Sequence, residues 1–226
     1  MADKKDNNRE EIALEDREAS GEKLYSPSSA RNRDAIRDVL LEIFPKTGAI
    51  LEIGGGTGEH AVHFARAMPG LIWRTGDPDD ASRMSIAAWI AETGLANLQG
   101  PHAIDVTADD WAGMQSGENF APFDGLLSIN MIHIAPFAAA QGLFAGAQRY
   151  LRQDGALVLY GPFSRNGSHT APSNEAFNTS LKARNPAWGV RDVEHDLAPL
   201  AQKHALQLER VVEMPANNLT LAFRKV

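Results

Sequence analysis

Short apolar runs alternate with segments of helical periodicity along most of this chain. Five runs predict strands, at residues 49–53, 71–75, 103–106, 123–129 and 156–160. Apolar positions three and four residues apart predict helices between them, most clearly at 59–68, 80–93 and from 137 onward. Two further strands, 206–213 and 219–224, are joined by a short turn. We predict an α/β fold: a mostly parallel sheet of seven strands, helices on both faces, and an antiparallel C-terminal strand pair.

The N-terminal region changes character near Tyr25. Residues 1–20 are polar and mixed in charge, which predicts a mobile tail ahead of a single domain over 21–226. We expect cofactor binding not to need this tail, because it has too little apolar surface to pack. The turn-rich residues 25–32 precede a helix that ends before Pro45. Two interpretations of this stretch stay open, a helix cap and a lid over a ligand site.

Composition narrows the class of protein. The 226 residues are 43% hydrophobic and 23% charged, which is typical of one globular domain with a sizeable core. The formal net charge of −7 and the lack of a Lys/Arg cluster argue against nucleic-acid binding. The absence of cysteine excludes disulfides, thiolate metal ligands and a cysteine nucleophile. The sequence shows neither a signal peptide nor an apolar run of about 18 residues, so we expect a cytoplasmic protein with no membrane partner.

Residues 49–60, AILEIGGGTGEH, contain the feature around which we expect the protein to be organised. An apolar run, four clustered glycines and an amphipathic run predict a strand, a tight turn and a helix. Glycine permits positive φ and lets a ligand touch bare backbone, while the first turn of the helix offers unpaired N–H groups. The turn therefore indicates a site for a nucleotide-like ligand or an anion.

Two glycine motifs compete for this turn. The dinucleotide fingerprint G-x-G-x-x-G/A, counted from Gly54 at the strand end, meets Glu59 at its third position and fails. Counted from Gly56 it fits through Ala61, but it is then separated from the strand. An acidic-x-G-x-G-x-G pattern fits without any shift, on Glu52, Gly54, Gly56 and Gly58. The second pattern is favoured, and the first stays open.

Polar side chains follow the later strands. Asp77 comes about 20 residues after the glycine turn, the distance at which a carboxylate can bind the two ribose hydroxyls of a nucleoside. A helix cap is its alternative role, although Asp79 is better placed to cap the helix that begins at Asp80. Asp105, at the end of the predicted third strand, either accepts a hydrogen bond from an adenine amine or starts a turn. Asn130 follows the fourth strand.

Together these residues resemble the class I S-adenosylmethionine-dependent methyltransferases from about Tyr25 onward. The matches include the glycine turn, the polar strand ends and a Leu-Arg-x-x-Gly turn at 151–155. Four segments are also similar to a narrower subfamily that includes methyltransferase-like protein 26: YSPSSARN at 25–32, NMIH at 130–133, GPF at 161–163 and MPANNL at 214–219. The resemblance implies a Rossmann-like class I methyltransferase fold and S-adenosylmethionine as cofactor. It implies a cofactor site made of Glu52, Gly54, Gly56, Gly58, Asp77, Asp105 and Asn130.

Methyl transfer needs few catalytic side chains, because the sulfonium of this cofactor already carries an activated methyl group. His133 is the first candidate for a general base, since it lies just past the fourth strand and the ordinary histidine pKa suits proton acceptance near neutrality. A role in shaping the pocket, or a bond to nearby backbone, stays open for His133. Tyr25 is the second catalytic candidate. Arg165 and His169 are expected to face the acceptor, and His60 to pack or cap.

The remaining observations concern metals, acceptors and rival functions. We predict no metal, because His60, His63, His133 and Asp105 are scattered without ligand spacing. The fourth strand ends in NMIH and lacks the Asn-Pro-Pro-aromatic signature of amino-directed nucleic-acid methyltransferases. With the acidic charge, this favours a small-molecule acceptor, or a protein, over nucleic acid. Two rival functions stay open, a nicotinamide-dependent oxidoreductase and a non-catalytic cofactor-binding protein.

Overall fold

The computed structural model describes residues 17–111 and 122–226. The strands are β1 (Glu18–Ser20), β2 (Lys23–Tyr25), β3 (Gly48–Ile53), β4 (Leu71–Gly76), β5 (Leu98–His102), β6 (Phe123–Ile129), β7 (Leu151–Gly161), β8 (Ser164–Arg165), β9 (Ser168–His169), β10 (Leu206–Met214) and β11 (Asn218–Lys225). The helices are α1 (Pro27–Ile43), α2 (Glu59–Ala67), α3 (Asp80–Thr93), α4 (Phe137–Tyr150), α5 (Pro172–Arg184) and α6 (Ala198–Lys203). None of the helices in these two ranges is long and apolar enough to cross a membrane. Most of the predicted tail, up to residue 16, lies outside the described residues.

The central sheet has seven strands in the order β10-β11-β7-β6-β3-β4-β5. β3 pairs in parallel with β4 and β6, and β6 pairs in parallel with β7. β11 runs antiparallel between β7 and β10. The predicted mostly parallel sheet with an antiparallel C-terminal pair is confirmed. The chain moves outward from β3 to β5 and then returns to β6, so the strand order reverses between β3 and β6. Open α/β sheets bind their ligands at the carboxyl edge of such a reversal.

Side chains from the two faces of the sheet pack into two apolar layers. On one face, Ile50 and Trp73 lie in a cluster with Phe64 of α2 and with residues of α1. On the other face, Leu51 and Ile53 lie in a cluster with residues of α4 and α6. β3 supplies both layers because neighbouring residues of a strand point to opposite faces. Each large apolar side chain that is fully buried here contributes about 1.5–3 kcal/mol to the stability of the fold. The sheet therefore holds the loops at its carboxyl edge in place.

The predicted turn-rich stretch, residues 25–32, lies mostly inside α1, which begins at Pro27, and Ser26 is the cap of this helix. Ser26 Oγ accepts a hydrogen bond from Ser29 N at 3.3 Å, and Pro27 stands in the first turn of the helix. Both residue types are favoured at these positions, because serine satisfies an orphan N–H and proline has none to lose. Ahead of the cap, β1 and β2 form an antiparallel hairpin, so residues 18–20 of the predicted tail form a strand.

The predicted third strand was wrong in position. β5 spans Leu98–His102, and the predicted residues 103–106 follow it. Gly100 and Pro101 weaken the strand pattern in the sequence, but β5 is the edge strand and pairs only with β4 among the described strands. An edge strand tolerates a proline, because it has one side without a ladder of hydrogen bonds. Asp105 therefore lies in a turn beyond the strand, where its Oδ1 accepts from Thr107 N at 2.8 Å.

The predicted turn at 151–155 lies inside β7. The register against β6 jumps from Leu151 opposite Phe123 to Ala156 opposite Gly125. Asp154, within the skipped residues, has a left-handed φ of 63°. The turn residues therefore form a bulge at the start of a longer strand.

Candidate active site

The glycine turn between β3 and α2 has the backbone that its sequence predicts. Gly54, Gly56 and Gly58 adopt left-handed φ angles of 73°, 57° and 89°, which residues with a side chain rarely adopt. The N–H groups of Gly54 and Gly55 both donate to the last carbonyl of β4, each at 3.0 Å. A Cβ at Gly55 would overlap the Thr75 hydroxyl. The turn is therefore held closely against the end of β4.

One side of the turn is bare backbone. Among the described residues, a Cβ at Gly56 would find only the Arg17 guanidinium within 4 Å, at 3.7 Å. α2 begins at Glu59, so the N–H groups of its first turn lie next to this surface. The turn follows β3, the strand at which the sheet order reverses. This backbone is therefore where the fold places an anion or a nucleoside.

Asp77, the first residue after β4, joins the turn from the neighbouring strand. Its Oδ2 accepts from Gly56 N at 3.0 Å and its Oδ1 from Asp79 N at 2.9 Å. Burial raises the pKa of Asp77, whereas these backbone bonds and the charge of Arg17 lower it. An ionised carboxylate offers about four acceptor positions, so two hydroxyl groups can still bind. Asp79 caps α3 as predicted, since its Oδ2 accepts from Ser82 N at 2.8 Å.

Glu52 lies in the core rather than at the open face of the turn. Its side chain is 2% exposed, and Trp73 Nε1 donates to its Oε2 at 3.1 Å. Burial raises the pKa of Glu52 to about 7, and the nearby Asp77 adds to the rise. Its predicted contact with the cofactor stays a prediction, and the described contacts make it a link between β3 and β4.

The turn after β6 packs on the glycine turn. Asn130 adopts a left-handed φ of 59°, and its N–H donates to Tyr160 O at 2.8 Å. A Cβ at Gly54 would lie 3.0 Å from Met131 Cγ. The loops that follow β3 and β6 are therefore in contact. Asn130 Oδ1 lies 3.2 Å from the position of a Cβ at Gly161, and its predicted contact with the cofactor stays a prediction.

His133 is buried against the segment that follows β7. Its side chain is 1% exposed, and its ring lies 4.8 Å from the Phe163 ring in an edge-on arrangement. A Cβ at Gly161 would overlap His133 Nε2. Within the described residues, neither ring nitrogen has a well-formed hydrogen bond. Glycine is thus needed at 161 for this close contact.

The environment of His133 changes its expected chemistry. Burial, with the Arg191 charge nearby, lowers its pKa to about 3, against a small opposing effect of the Gly189 backbone. The expectation of a pKa near neutrality was therefore wrong, because a buried imidazolium loses its hydration. His133 is a neutral imidazole at pH 7, and its role as a base stays a prediction.

The other predicted side chains have different neighbours. The Tyr25 ring packs 5.2 Å from the Trp89 ring on α3, whereas His133 packs against Phe163. Arg165 pairs with Glu194 Oε1 at 2.6 Å, and His169 Nε2 lies 3.4 Å from Asn178 Nδ2. No group of three or more His, Cys, Asp or Glu side chains suited to a metal occurs in the two described ranges.

Residues 25–32 and 214–219 meet the end of β7 at the carboxyl edge of the sheet. Asn32 Oδ1 lies 2.8 Å from His60 Nε2 on α2. The side chains of Asn32 and Asn218 also flank the hydroxyl of Tyr160 and partly offset the rise that burial gives its pKa. Asn217 O accepts from Asn174 Nδ2 at 2.8 Å. These polar contacts join residues 25–32 and 214–219 to the end of β7, and spacing along the sequence does not indicate them.

Glu59 joins the N-terminal segment to the glycine turn. Its Oε2 accepts from Ser26 N at 2.6 Å and from Thr57 Oγ1 at 3.0 Å. Ser85 Oγ donates to Thr57 O at 2.7 Å and accepts from Leu24 N at 2.8 Å. This network was not predicted from the sequence. The available signal was Glu59 itself, the carboxylate that breaks the dinucleotide fingerprint.

Several solved structures that are similar to this one are methyltransferases. The mitomycin 7-O-methyltransferase MmcR matches with a TM-score of 0.69 at 16% identity, over 88% of this chain and 54% of its own. CalO1, a methyltransferase of calicheamicin biosynthesis with bound S-adenosylhomocysteine, matches with a TM-score of 0.65 at 17% identity, over 88% and 54%. An O-methyltransferase family protein from Burkholderia thailandensis matches with a TM-score of 0.64 at 15% identity, over 87% and 60%. The chain thus spans little more than half the length of these proteins.

The fold is therefore the Rossmann-like fold of class I methyltransferases. A family model that matches the amino-acid sequence assigns the family more narrowly than these structures do. The chain belongs to the family described as "Protein of unknown function (DUF938)", whose model matches residues 23–225.

Proposed function

We propose that this protein binds S-adenosylmethionine and transfers its methyl group to a small-molecule acceptor. The observation that carries the proposal is the joint placement of bare backbone and a carboxylate at the sheet reversal. Gly56 is open on one side, and its N–H holds the Asp77 carboxylate. A nucleoside bound there would contact the bare backbone of the turn, and its ribose hydroxyls would donate to the Asp77 carboxylate.

The residues of the site fit this cofactor, and their role is to bind and orient it rather than to activate the methyl group. The bound cofactor would supply the activated methyl group. Asp77 would hold the ribose, the glycine turn would admit the nucleoside, and Asn130 would border its other end. Alignment of two reactants can lower a barrier by about 7–11 kcal/mol, so positioning by these elements accounts for catalysis without a strong base.

The acceptor side lies at the ends of β6 and β7. His133 and Phe163 are 1% and 0% exposed and lie behind these strand ends. They make the surroundings neutral and largely apolar, which suits a small organic acceptor better than a charged polymer. MmcR is a mitomycin 7-O-methyltransferase, and an acceptor of that kind is a small molecule. The likeness to the subfamily of methyltransferase-like protein 26 stays a prediction.

The nicotinamide alternative has less support from the structure. β3 ends at Ile53, so a dinucleotide fingerprint must be counted from Gly54. Its third small residue would then be Glu59, which is 7% exposed and occupied by Ser26 and Thr57. The position that should allow close packing in that motif holds a buried carboxylate instead.

Calorimetric titration with S-adenosylmethionine and with NAD tests the proposal. We expect binding of the first alone. Asp77→Ala should weaken it by about 1.5–3 kcal/mol, the scale of a hydrogen bond to a charged group. Asp38→Ala is the matched control, because Asp38 is an exposed carboxylate of α1 paired with Arg37. Binding of NAD alone would refute the proposal.

Transfer itself is tested with isotope-labelled S-adenosylmethionine. The protein is incubated with small-molecule, protein and nucleic-acid fractions of a cell extract. Label should appear in the small-molecule fraction. Cofactor binding without transfer to any fraction would favour the non-catalytic alternative.

A further inference from the structure

Arg17 lies at the open side of the glycine turn. Its Nη2 is 3.7 Å from the position that a Cβ at Gly56 would occupy, and its Nη1 is 3.4 Å from Ser82 Oγ. The guanidinium therefore spans the space between the glycine turn and the first turn of α3. Asp77 borders the same space, because its Oδ2 accepts from the Gly56 N–H.

The hairpin of β1 and β2 fixes this position. Leu24 N donates to Ser85 Oγ at 2.8 Å, and Trp89 Nε1 donates to Leu24 O at 3.3 Å. Lys23 pairs with Glu92. The three partners Ser85, Trp89 and Glu92 all belong to α3, so the hairpin is attached along the helix whose first turn borders the site. Arg17 immediately precedes this anchored hairpin.

We propose that Arg17 contacts the ribose of the bound cofactor and forms, with Asp77, a donor–acceptor pair around the ribose diol; this inference rests on the proposed function. Each ribose hydroxyl donates one hydrogen bond and accepts two. An ionised Asp77 supplies acceptors only, whereas a guanidinium supplies donors only. Arg17 provides the donors that the diol lacks, and its long contact with Ser82 can be exchanged for a shorter bond to a hydroxyl.

The charges around Asp77 agree with this pairing. Asp79 in the same turn raises the Asp77 pKa, and Glu52 of β3 lies close enough to interact with Asp77. Arg83 of α3 is bonded to the backbone carbonyl of Asp77 rather than to its carboxylate. Arg17 is the cation that lowers the Asp77 pKa, so it also favours the ionised form that accepts from both hydroxyls.

Calorimetry with two ligands locates the contact. The ligands are S-adenosylhomocysteine and 5′-methylthioadenosine, which keeps the ribose but lacks the amino-acid portion. Arg17→Ala should weaken both by about tenfold, the scale of one charge-assisted hydrogen bond, and Arg17→Lys should restore part of the loss. Arg184→Ala removes an exposed cation in the last turn of α5 and should change neither affinity. Thermal unfolding of the ligand-free variants should match the wild type.

The outcomes separate this inference from the proposed function. Weakened binding of S-adenosylhomocysteine alone would place the guanidinium at the amino-acid portion and overturn the ribose contact. Unchanged binding in Arg17→Ala, together with a loss in Asp77→Ala, would overturn the role of Arg17 and leave the proposed function standing. If the wild type binds neither ligand, the proposed function fails and the inference fails with it.

Discussion

Two glycines offer a matched test of the cofactor site. Gly56 has a φ of 57° and Gly94, at the end of α3, has a φ of 58°. A Cβ at Gly94 would meet nothing within 4 Å of the described residues, and one at Gly56 would meet only Arg17. Replacement by alanine therefore imposes the same backbone strain at both positions, about 1–2 kcal/mol, with little steric overlap in the ligand-free protein.

The two variants should share a stability loss and differ in binding. For a chain of 226 residues, each should unfold about 2–8 °C below the wild type. Only Gly56→Ala places a methyl group on the surface that faces the cofactor. An added methyl in a close-packed contact costs about 1–3 kcal/mol, so affinity for S-adenosylmethionine should fall by about 5-fold to 150-fold. Gly94→Ala should bind as the wild type does.

Thermal unfolding without ligand and calorimetric titration measure the two quantities separately. Equal cofactor affinity in the two variants would refute the reasoning, because the glycine at 56 would then serve only the fold. A much larger stability loss in Gly56→Ala than in Gly94→Ala would also count against it. That result would show that the turn is closed by protein contacts rather than open to a ligand.

Three further substitutions have direct expectations. Gly146→Ala would push a methyl group into the Trp111 ring and should lower the free energy of unfolding by about 1–3 kcal/mol in urea titrations. Asp79→Ala removes the cap bond to Ser82 N and should lower it by about 1 kcal/mol, with little change in cofactor affinity. Tyr160→Phe removes the hydroxyl beside the half-buried amides of Asn32 and Asn218 and should cost about 0.5–1.5 kcal/mol in the same assay.

Periodicity predicted most of the fold because it reports burial directly. The helix predicted at 80–93 and the strand predicted at 123–129 coincide with α3 and β6. The third strand was misplaced because β5 lies at the edge of the sheet. Whether a strand has one neighbour or two is a property of the assembled sheet, and an edge strand with Gly100 and Pro101 lacks the local apolar signal.

In the candidate site, too, local sequence patterns predicted some residues, whereas others depend on contacts between distant parts of the chain. Asp77 was found from its distance to the glycine turn, since a strand–turn–helix unit fixes where the next strand ends. Arg17 gave no local signal, because its position depends on a hairpin that docks on α3, far along the chain. The burial of His133 depends on Phe163 and on the glycine at 161. Low apolar content predicted that residues 1–20 would not pack, but it says nothing about a charged side chain at a polar site.

Three buried titratable groups should shape the response of stability to acid. His60 and His133 have pKa values lowered by burial from 6.5 to about 3. Between these values the unfolded chain binds more protons than the folded protein, so both histidines make stability fall as the pH drops below about 6.5. Glu52 has a pKa raised by burial from 4.5 to about 7. The folded protein binds the additional proton there, so Glu52 makes stability rise as the pH drops from about 7 to 4.5.

Removal of His133 and removal of Glu52 should therefore change the pH dependence of the free energy of unfolding in opposite directions. His133→Gln removes a buried imidazole whose protonation on unfolding opposes folding in acid. The stability of this variant should therefore fall less steeply than that of the wild type between about pH 7 and pH 5. Glu52→Gln removes a buried carboxyl group whose protonation in the folded protein favours folding in acid. The stability of this variant should therefore fall more steeply over the same range. Each variant is the control for the other, because both replace a buried ionisable side chain by a neutral amide. Urea unfolding at about pH 7, 6 and 5 gives the slopes. Slopes that change in the same direction in both variants would show that general loosening of the core, rather than the titration of these two groups, sets the acid response.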